Sequence, residues 1–248
     1  MSLPEILTQL QAGTFETTEE KFDAMRGAGR PGDGRYFLED PDGFRKERVP
    51  AVTTVNSCMH PRGLFHWHYE NGAAGRMFGD GGTPALEVGS VVHRMVENRI
   101  HGLPVTEPAE EIAPLVMSAY GAFERWWQAG KFKVVATEVP LVSRRYRVGG
   151  TPDAILLDGE GRVCLGDWKS SNGLYANYLR QIAIYGAMWD EQAPERFQLT
   201  GGFHLVRFAK TNGDMEHRHF PELEDALESF VLLRRMYDLN KSLEKRIR

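Results

Sequence analysis

Two runs of alternating apolar residues around a glycine-rich turn restrict the fold of this chain more than any other feature. The runs cover residues 150–157 and 162–169, and a turn at 159–161 joins them. Strand side chains point alternately to the two faces of a sheet, and a three-residue loop with glycine commonly closes a hairpin. In that register apolar residues face apolar residues until the last pair, which sets Asp153 opposite Asp167. A loop of two or four residues would move Asp153 to the other face, so the pattern predicts juxtaposed carboxylates.

Opposed like charges destabilise a sheet, so this pair needs a physical explanation. One carboxyl group can carry a proton with a raised pKa, or a hard cation such as Mg²⁺ or Mn²⁺ can lie between the two. Lys169 shares the face of Asp167 and could orient or deprotonate a metal-bound water. The alternative is that Asp167 and Lys169 lie beyond the strand end in solvent, with Asp153 in a turn.

The remaining periodicity predicts a mixed α/β sheet flanked by helices. Residues 1–48 are polar and glycine-rich, which indicates a short amphipathic segment followed by loops or a small hairpin. We expect an extension and helical entrance over 1–82 and the main domain over 83–248. The expected elements are a helix from Thr83-Pro84 to about 100, a helix over 108–128, strands over 132–141, 146–157 and 162–169, a helix over 175–192, a hairpin over 201–220 turning at Asn212-Gly213, and a helix over 221–247.

The charge and cysteine content limit the classes of partner and cofactor. The 248 residues carry a formal net charge of −4, whereas a protein that binds nucleic acid through a large basic surface is usually positive. A nucleic acid would therefore need a local basic patch, or cations between carboxylates and phosphate. Two cysteines, Cys58 and Cys164, are too few for a four-cysteine iron–sulfur cluster. No apolar stretch is long enough to span a membrane, and we expect a cytoplasmic protein without a membrane partner.

Three short motifs follow one another in a recognisable order: GTPD at 150–153, DWK at 167–169 and QIAIY at 181–185. Together they resemble the G-x-x-D, D/E-x-K and Q-x-x-x-Y motifs of the PD-(D/E)XK nuclease superfamily. The nearest resemblance is to the RecB-like exonuclease branch, including the mitochondrial genome-maintenance type, which lacks an iron–sulfur cluster. An upstream helix in that branch carries a histidine, and GSVVHRMVE at 89–97 is similar to it. The resemblance covers roughly 49–192 and implies a restriction-endonuclease-like fold with an amino-terminal helical lobe.

The resemblance also implies a role for each matching residue. Asp153, Asp167 and the Trp168 main-chain carbonyl would bind Mg²⁺ or Mn²⁺, with Lys169 as the catalytic lysine. His93 would be a ligand or lie close to one. Glu138 matches an acidic position on the first core strand, and Gln181 and Tyr185 would support the site or contact DNA.

The expected activity is metal-assisted hydrolysis of DNA, by an exonuclease acting on single strands or free ends. A structure- or sequence-specific endonuclease and a non-catalytic DNA-binding module remain alternatives. The basic and aromatic stretch at 143–147 predicts DNA contacts from Arg144, Arg145 and Tyr146. The same stretch would also suit a solvated hairpin tip.

Overall fold

The computed structural model of the chain describes most residues from Arg35 onward. The described residues are 35–39, 46–59, 69–70, 72–73, 75, 84–171, 173–208 and 215–247. They form β1 (Tyr36–Glu39), β2 (Lys46–Val49), α1 (Val52–Asn56), α2 (Pro84–Ile100), α3 (Ala113–Gly130), β3 (Lys133–Thr137), β4 (Leu141–Ser143), β5 (Val148–Gly150), β6 (Ala154–Leu157), β7 (Val163–Lys169), α4 (Ala176–Gln192), a 3₁₀ turn (Glu195–Phe197), β8 (Phe203–Phe208), β9 (Met215–Phe220) and α5 (Glu224–Arg246).

A mixed five-stranded sheet in the order β3-β6-β7-β8-β9 is the centre of the fold. All neighbouring strands are antiparallel except β7 and β8, which are parallel and connected through α4. The predicted α/β class, with a mixed sheet flanked by helices, is therefore confirmed. Among the described residues, no helix combines the length and apolar character needed to cross a membrane.

The predicted register of the β6–β7 hairpin is confirmed. Leu157 pairs with Val163 and Ile155 pairs with Leu165, as the alternation of apolar residues requires. Gly161 has a φ of 79°, a conformation that glycine adopts without steric cost, so the three-residue loop closes as expected. The paired residues end at Ala154 and Gly166, so Asp153 and Asp167 are the next residue of each chain segment at the open end of the hairpin.

Both faces of the sheet are buried, which explains the nearly continuous apolar sequence of β7. One face, with Ile155 and Leu165, packs against α1, α4 and α5. The other, with Leu156 and Trp168, packs against α2 and α3. Of the residues predicted to form the amino-terminal extension, Val52 and Val55 on α1 belong to the core on the first of these faces.

Three predicted boundaries are wrong. The strands expected over 132–141 and 146–157 are each broken, and β4 and β5 form a separate two-stranded sheet. Pro140 and Pro152 lie within the breaks, where a missing N–H interrupts a ladder. The helix expected from 108 begins at Ala113, with a proline in its first turn, where proline is favoured.

The amino-terminal residues pack beside the strand that leads to Asp153. β1 and β2 form a hairpin, as expected for part of 1–48, and Tyr36 OH lies 3.0 Å from Thr151 Oγ1. The Pro50 carbonyl accepts a hydrogen bond from Gly149 N at 3.0 Å. The predicted domain boundary at 82–83, with its Thr83 cap, and the predicted turn at Asn212-Gly213 lie outside the described residues.

Candidate active site

Asp153 lies where β6 begins, and the backbone of two neighbouring segments holds it. Its Oδ2 accepts a hydrogen bond from the Trp168 main-chain N–H at 2.7 Å. Its carbonyl accepts one from Glu138 N at 3.2 Å. This N–H group therefore ties Asp153 to β7 between Asp167 and Lys169. The role of the Trp168 carbonyl as a metal ligand stays a prediction.

Asp167 is the most unusual side chain of the site, because it is 1% exposed and poorly bonded. Among the described residues, neither carboxylate oxygen has a hydrogen-bond partner of normal geometry. Burial raises the pKa of Asp167 to about 6 against the opposing charge of Lys169, and the charge of Asp153 adds to the rise. A buried polar group left in this state requires an explanation in terms of function or of a missing partner.

Lys169 forms an ion pair with Asp167, with Nζ 2.5 Å from Oδ2. Its ammonium group also donates to Gln181 Oε1 at 3.3 Å, and Gln181 Nε2 donates to Tyr185 OH at 3.0 Å. Burial acts to lower the pKa of Lys169, but the charges of Asp167 and Asp153 outweigh it, so the net pKa is raised. Lys169 is therefore protonated in this state of the site.

The glycine of GTPD explains how the three motifs come together. A Cβ atom at Gly150 would overlap Cε1 of Tyr185, because the two atoms would be closer than such atoms approach. Only glycine lets the ring of Tyr185 pack against this strand, and Tyr185 in turn holds Gln181. The motif residues 150–153, 167–169 and 181–185 thus form one connected arrangement.

The two upstream residues reach the same region in different ways. The imidazole of His93, on α2, acts electrostatically on Asp167 and lowers its pKa, although more weakly than Lys169 does. Glu138 follows β3 and has a φ of 48°, a backbone conformation that is costly for residues other than glycine. Such strain is frequent at functional sites. Their predicted roles as a ligand and as an acidic supporting residue stay predictions.

The predicted DNA contacts at 144–146 lie away from this cluster. The hairpin tip is held by Glu191 Oε1, which accepts hydrogen bonds from the main-chain N–H groups of Arg144 and Arg145 at 2.9 and 3.2 Å. Glu191 is ten residues after Gln181 on α4, or about 15 Å along a helix. The guanidinium of Arg145 lies over the ring of Tyr146, 5.2 Å from its centroid.

Two contacts of α4 were not predicted from the sequence, one at the site and one between helices. The ring of Tyr178 lies 5.0 Å from Lys169 Nζ in a cation–π arrangement. Its position three residues before Gln181, hence on the same helix face, was the signal that could have revealed it. The other is the buried Arg180, whose Nε donates to Asn56 Oδ1 at 3.2 Å and so attaches α1 to α4. No local pattern indicates a contact across such a sequence separation.

The residues present suit a hard cation only with help from other ligands. Within the described part of the chain, no three His, Cys, Asp or Glu side chains are arranged to hold a metal ion. Mg²⁺, however, is commonly held by one or two carboxylates, with water and substrate phosphates completing its shell. The buried carboxylate of Asp167 pairs with Lys169 but accepts no hydrogen bond of normal geometry from the described residues. Together with the neighbouring Asp153, it fits that minimal set.

The chemistry of this cluster is therefore inferred from its own geometry. The carboxylates of Asp153 and Asp167 can bind a cation, and Lys169 can direct a positive charge at an anionic substrate. No family model matches the chain, and no curated protein matches it.

Proposed function

We propose that this protein is a Mg²⁺- or Mn²⁺-dependent deoxyribonuclease with a restriction-endonuclease-like core, an exonuclease that acts on single-stranded DNA or on DNA ends. The observation that carries the proposal is the buried carboxylate of Asp167 beside Asp153 and Lys169, which accepts no hydrogen bond of normal geometry from the described residues. A structural ion pair would not need a second acid at this position. The resemblance of 150–153, 167–169 and 181–185 to the PD-(D/E)XK motifs supports the same chemistry, and the preference for single strands or ends comes from that resemblance alone.

Each residue of the cluster has a role in this proposal. Asp153 and Asp167 would hold the cation, which when bound would polarise the scissile phosphate and lower the pKa of a water ligand. Lys169 would place its ammonium group near the attacked phosphate, where it can stabilise developing negative charge. Gln181 and Tyr178 orient Lys169, and Tyr185 orients Gln181.

The test is digestion of end-labelled DNA by the wild-type protein and by Lys169→Ala. Single- and double-stranded substrates, linear and circular, are incubated with Mg²⁺, with Mn²⁺ or with EDTA. We expect cutting of linear DNA with either metal, no cutting with EDTA, and a loss of at least about 100-fold in Lys169→Ala. Lys133→Ala, which removes an exposed lysine from β3, is the matched control and should cut normally.

Each alternative predicts a different result in the same assay. Cutting of closed circular DNA would show that the protein is an endonuclease and not an exonuclease. Binding of DNA without cutting under any metal condition would identify a non-catalytic module. A Lys169→Ala protein as active as the wild type would contradict the assignment of this cluster as the active site.

A further inference from the structure

A strongly basic cavity lies outside the cluster of Asp153, Asp167 and Lys169. It has a volume of about 560 Å³ and lies between the β1–β2 hairpin with α1 on one side and the second half of α5 on the other. Five basic and two acidic side chains line it, so its formal charge is +3 in a chain whose net charge is −4. The basic residues are Arg35, Arg48, Arg147, Arg234 and Lys241.

The two acidic residues of this basic cavity are already paired within it. Glu47 forms an ion pair with Arg147, and Asp238 forms one with Arg234. Lys241 Nζ lies 3.3 Å from Glu244, in an exposed pair of the kind that contributes little. Arg48 is exposed on β2 and forms no ion pair with the described residues. Arg48 and Lys241 therefore leave positive charge available to a ligand.

The fold holds these cations in place. Arg234 Nε donates to the Arg147 carbonyl at 3.3 Å, which connects α5 to the β4–β5 turn. Arg234 and Lys241 both lie against the ring of Tyr237, 5.5 and 5.8 Å from its centroid. Glu47, Asp238 and Glu244 offset part of the repulsion among these cations. An anion bound beside Arg48 and Lys241 would offset the rest.

The basic cavity borders β5, which ends three residues before Asp153. Pro50 and Ala51 line it, and both contact Gly149, through a hydrogen bond and a β-bridge. Arg147 precedes Asp153 by six residues, so at most about 20 Å of extended chain separates them. A stacked strand rises about 3.4 Å per nucleotide, so about six nucleotides would cover that distance.

We propose that the basic cavity binds the phosphate backbone of a single DNA strand whose other end reaches Asp153 and Asp167. This inference rests on the proposed nuclease function and identifies where the substrate is held at a distance from the reacting phosphate. It also explains how an acidic protein attracts a polyanion, because the local charge and not the net charge faces the ligand.

The experiment compares two double variants of the full chain that remove the same charge. The cavity variant, Arg48→Ala with Lys241→Ala, removes two exposed cations that line the cavity. The control variant, Arg235→Ala with Lys245→Ala, removes two exposed cations of α5 that do not line it. Binding of a fluorescein-labelled oligothymidylate, long enough at about 20 nucleotides to span the path, is measured in EDTA by anisotropy at several salt concentrations. Cutting of the same strand is measured with Mn²⁺, and circular dichroism checks folding.

We expect the cavity variant to bind about 20-fold more weakly at about 0.1 M salt. The slope of log K against the logarithm of the salt concentration should be shallower by about 1.4, since each lost phosphate contact removes about 0.7. The control variant should bind as the wild type does. Arg48→Lys with Lys241→Arg keeps both charges and should restore binding.

The outcomes separate this inference from the proposed function. If the wild type cuts DNA and both double variants bind equally well, the cavity is not part of the DNA path and the nuclease proposal stands. If the wild type never cuts but the cavity variant alone loses binding, the cavity is supported and the nuclease proposal fails. Absence of binding to the wild type, or full displacement of the strand by millimolar thymidine monophosphate, would overturn the inference.

Discussion

At the turn of the β6–β7 hairpin, Asp158 accepts three hydrogen bonds, whereas at the open end neither oxygen of Asp167 accepts one of normal geometry from the described residues. Partial burial acts to raise the pKa of Asp158, but the hydrogen bonds from Arg162 and Glu160 outweigh it and the net pKa is lowered. Burial raises the pKa of Asp167 instead. Two aspartates of one hairpin thus have opposite electrostatic environments.

Under the proposed function, the difference separates a structural carboxylate, Asp158, from a functional one, Asp167. The turn uses the charge of Asp158 to satisfy main-chain N–H groups that would otherwise lack partners. Asp167 gives nothing comparable to the fold, and its burial costs free energy that only a ligand or a charge partner can offset. Substitutions at the two ends should therefore affect different measurements.

The largest effect is expected for Asp167→Asn, which removes the charge with little change in volume. DNA cutting should fall at least about 1000-fold, because the cation and the transition-state charge lose a carboxylate. The free energy of unfolding in EDTA should change by less than about 1 kcal/mol, because the lost ion pair with Lys169 is offset by removal of a buried charge that Asp153 repels. Mn²⁺ at about 100 times its Kd should stabilise the wild type by about 2.7 kcal/mol and the variant by far less.

Thermal and denaturant unfolding with and without Mn²⁺ measure this contrast, and activity assays measure the rate. An Asp167→Asn protein that cuts DNA normally would contradict the assignment of the open end as the site. A variant that is inactive but still gains the full stabilisation from Mn²⁺ would place the cation elsewhere.

The open end of the β6–β7 hairpin, where Asp153 and Asp167 lie, could be predicted from the sequence better than the parts of the fold around it. The register of β6 and β7 follows from strict alternation, because a slip of one residue would move every side chain to the wrong face. The breaks at Pro140 and Pro152 were missed because apolar residues on both sides gave the appearance of continuous strands. The basic cavity could not be predicted, since Arg35, Arg147 and Lys241 are brought together only by tertiary packing.

The turn end of the sheet also carries three histidines. This cluster predicts a pH dependence of the free energy of unfolding and no effect on DNA cutting. His204 is buried against His217, with Nδ1 and Nε2 2.9 Å apart, and stacks on His219. Burial lowers the pKa of His204 to about 4, and the two neighbouring histidines add to this effect, against weak opposition from Asp158. Folded His204 is therefore neutral at pH values where an unfolded histidine is charged.

Below pH 6.5 the unfolded chain takes up a proton at this residue, and the folded chain does not until about pH 4. The free energy of unfolding should therefore fall as the pH decreases from about 6.5 to about 4, by about 3 kcal/mol for a group with this pKa shift. Urea unfolding at intervals of pH measures the curve. His204→Gln should flatten it while leaving DNA cutting at neutral pH unchanged, and identical curves would exclude His204 as the titrating group.

The smallest effect is expected for Asp158→Ala, which removes the three hydrogen bonds at the turn. The N–H groups of Glu160 and Arg162 lose their acceptor in this variant. We therefore expect the free energy of unfolding to fall by about 1 to about 2 kcal/mol. Glu160→Ala is the matched control, because its side chain is 73% exposed and pairs only at the surface. For this control we expect a change below about 0.5 kcal/mol.

Asp158→Ala tests the comparison more strictly than any change at the open end, because it removes the same chemical group from the same hairpin. DNA cutting per folded molecule should stay within about threefold of the wild type, since the apolar pairs of β6 and β7 also hold the register. Denaturant unfolding gives the stability and the end-labelled assay gives the rate. A folded Asp158→Ala protein as inactive as Asp167→Asn would show that the two ends are coupled, and that hydrogen bonding alone does not distinguish a structural carboxylate from a functional one.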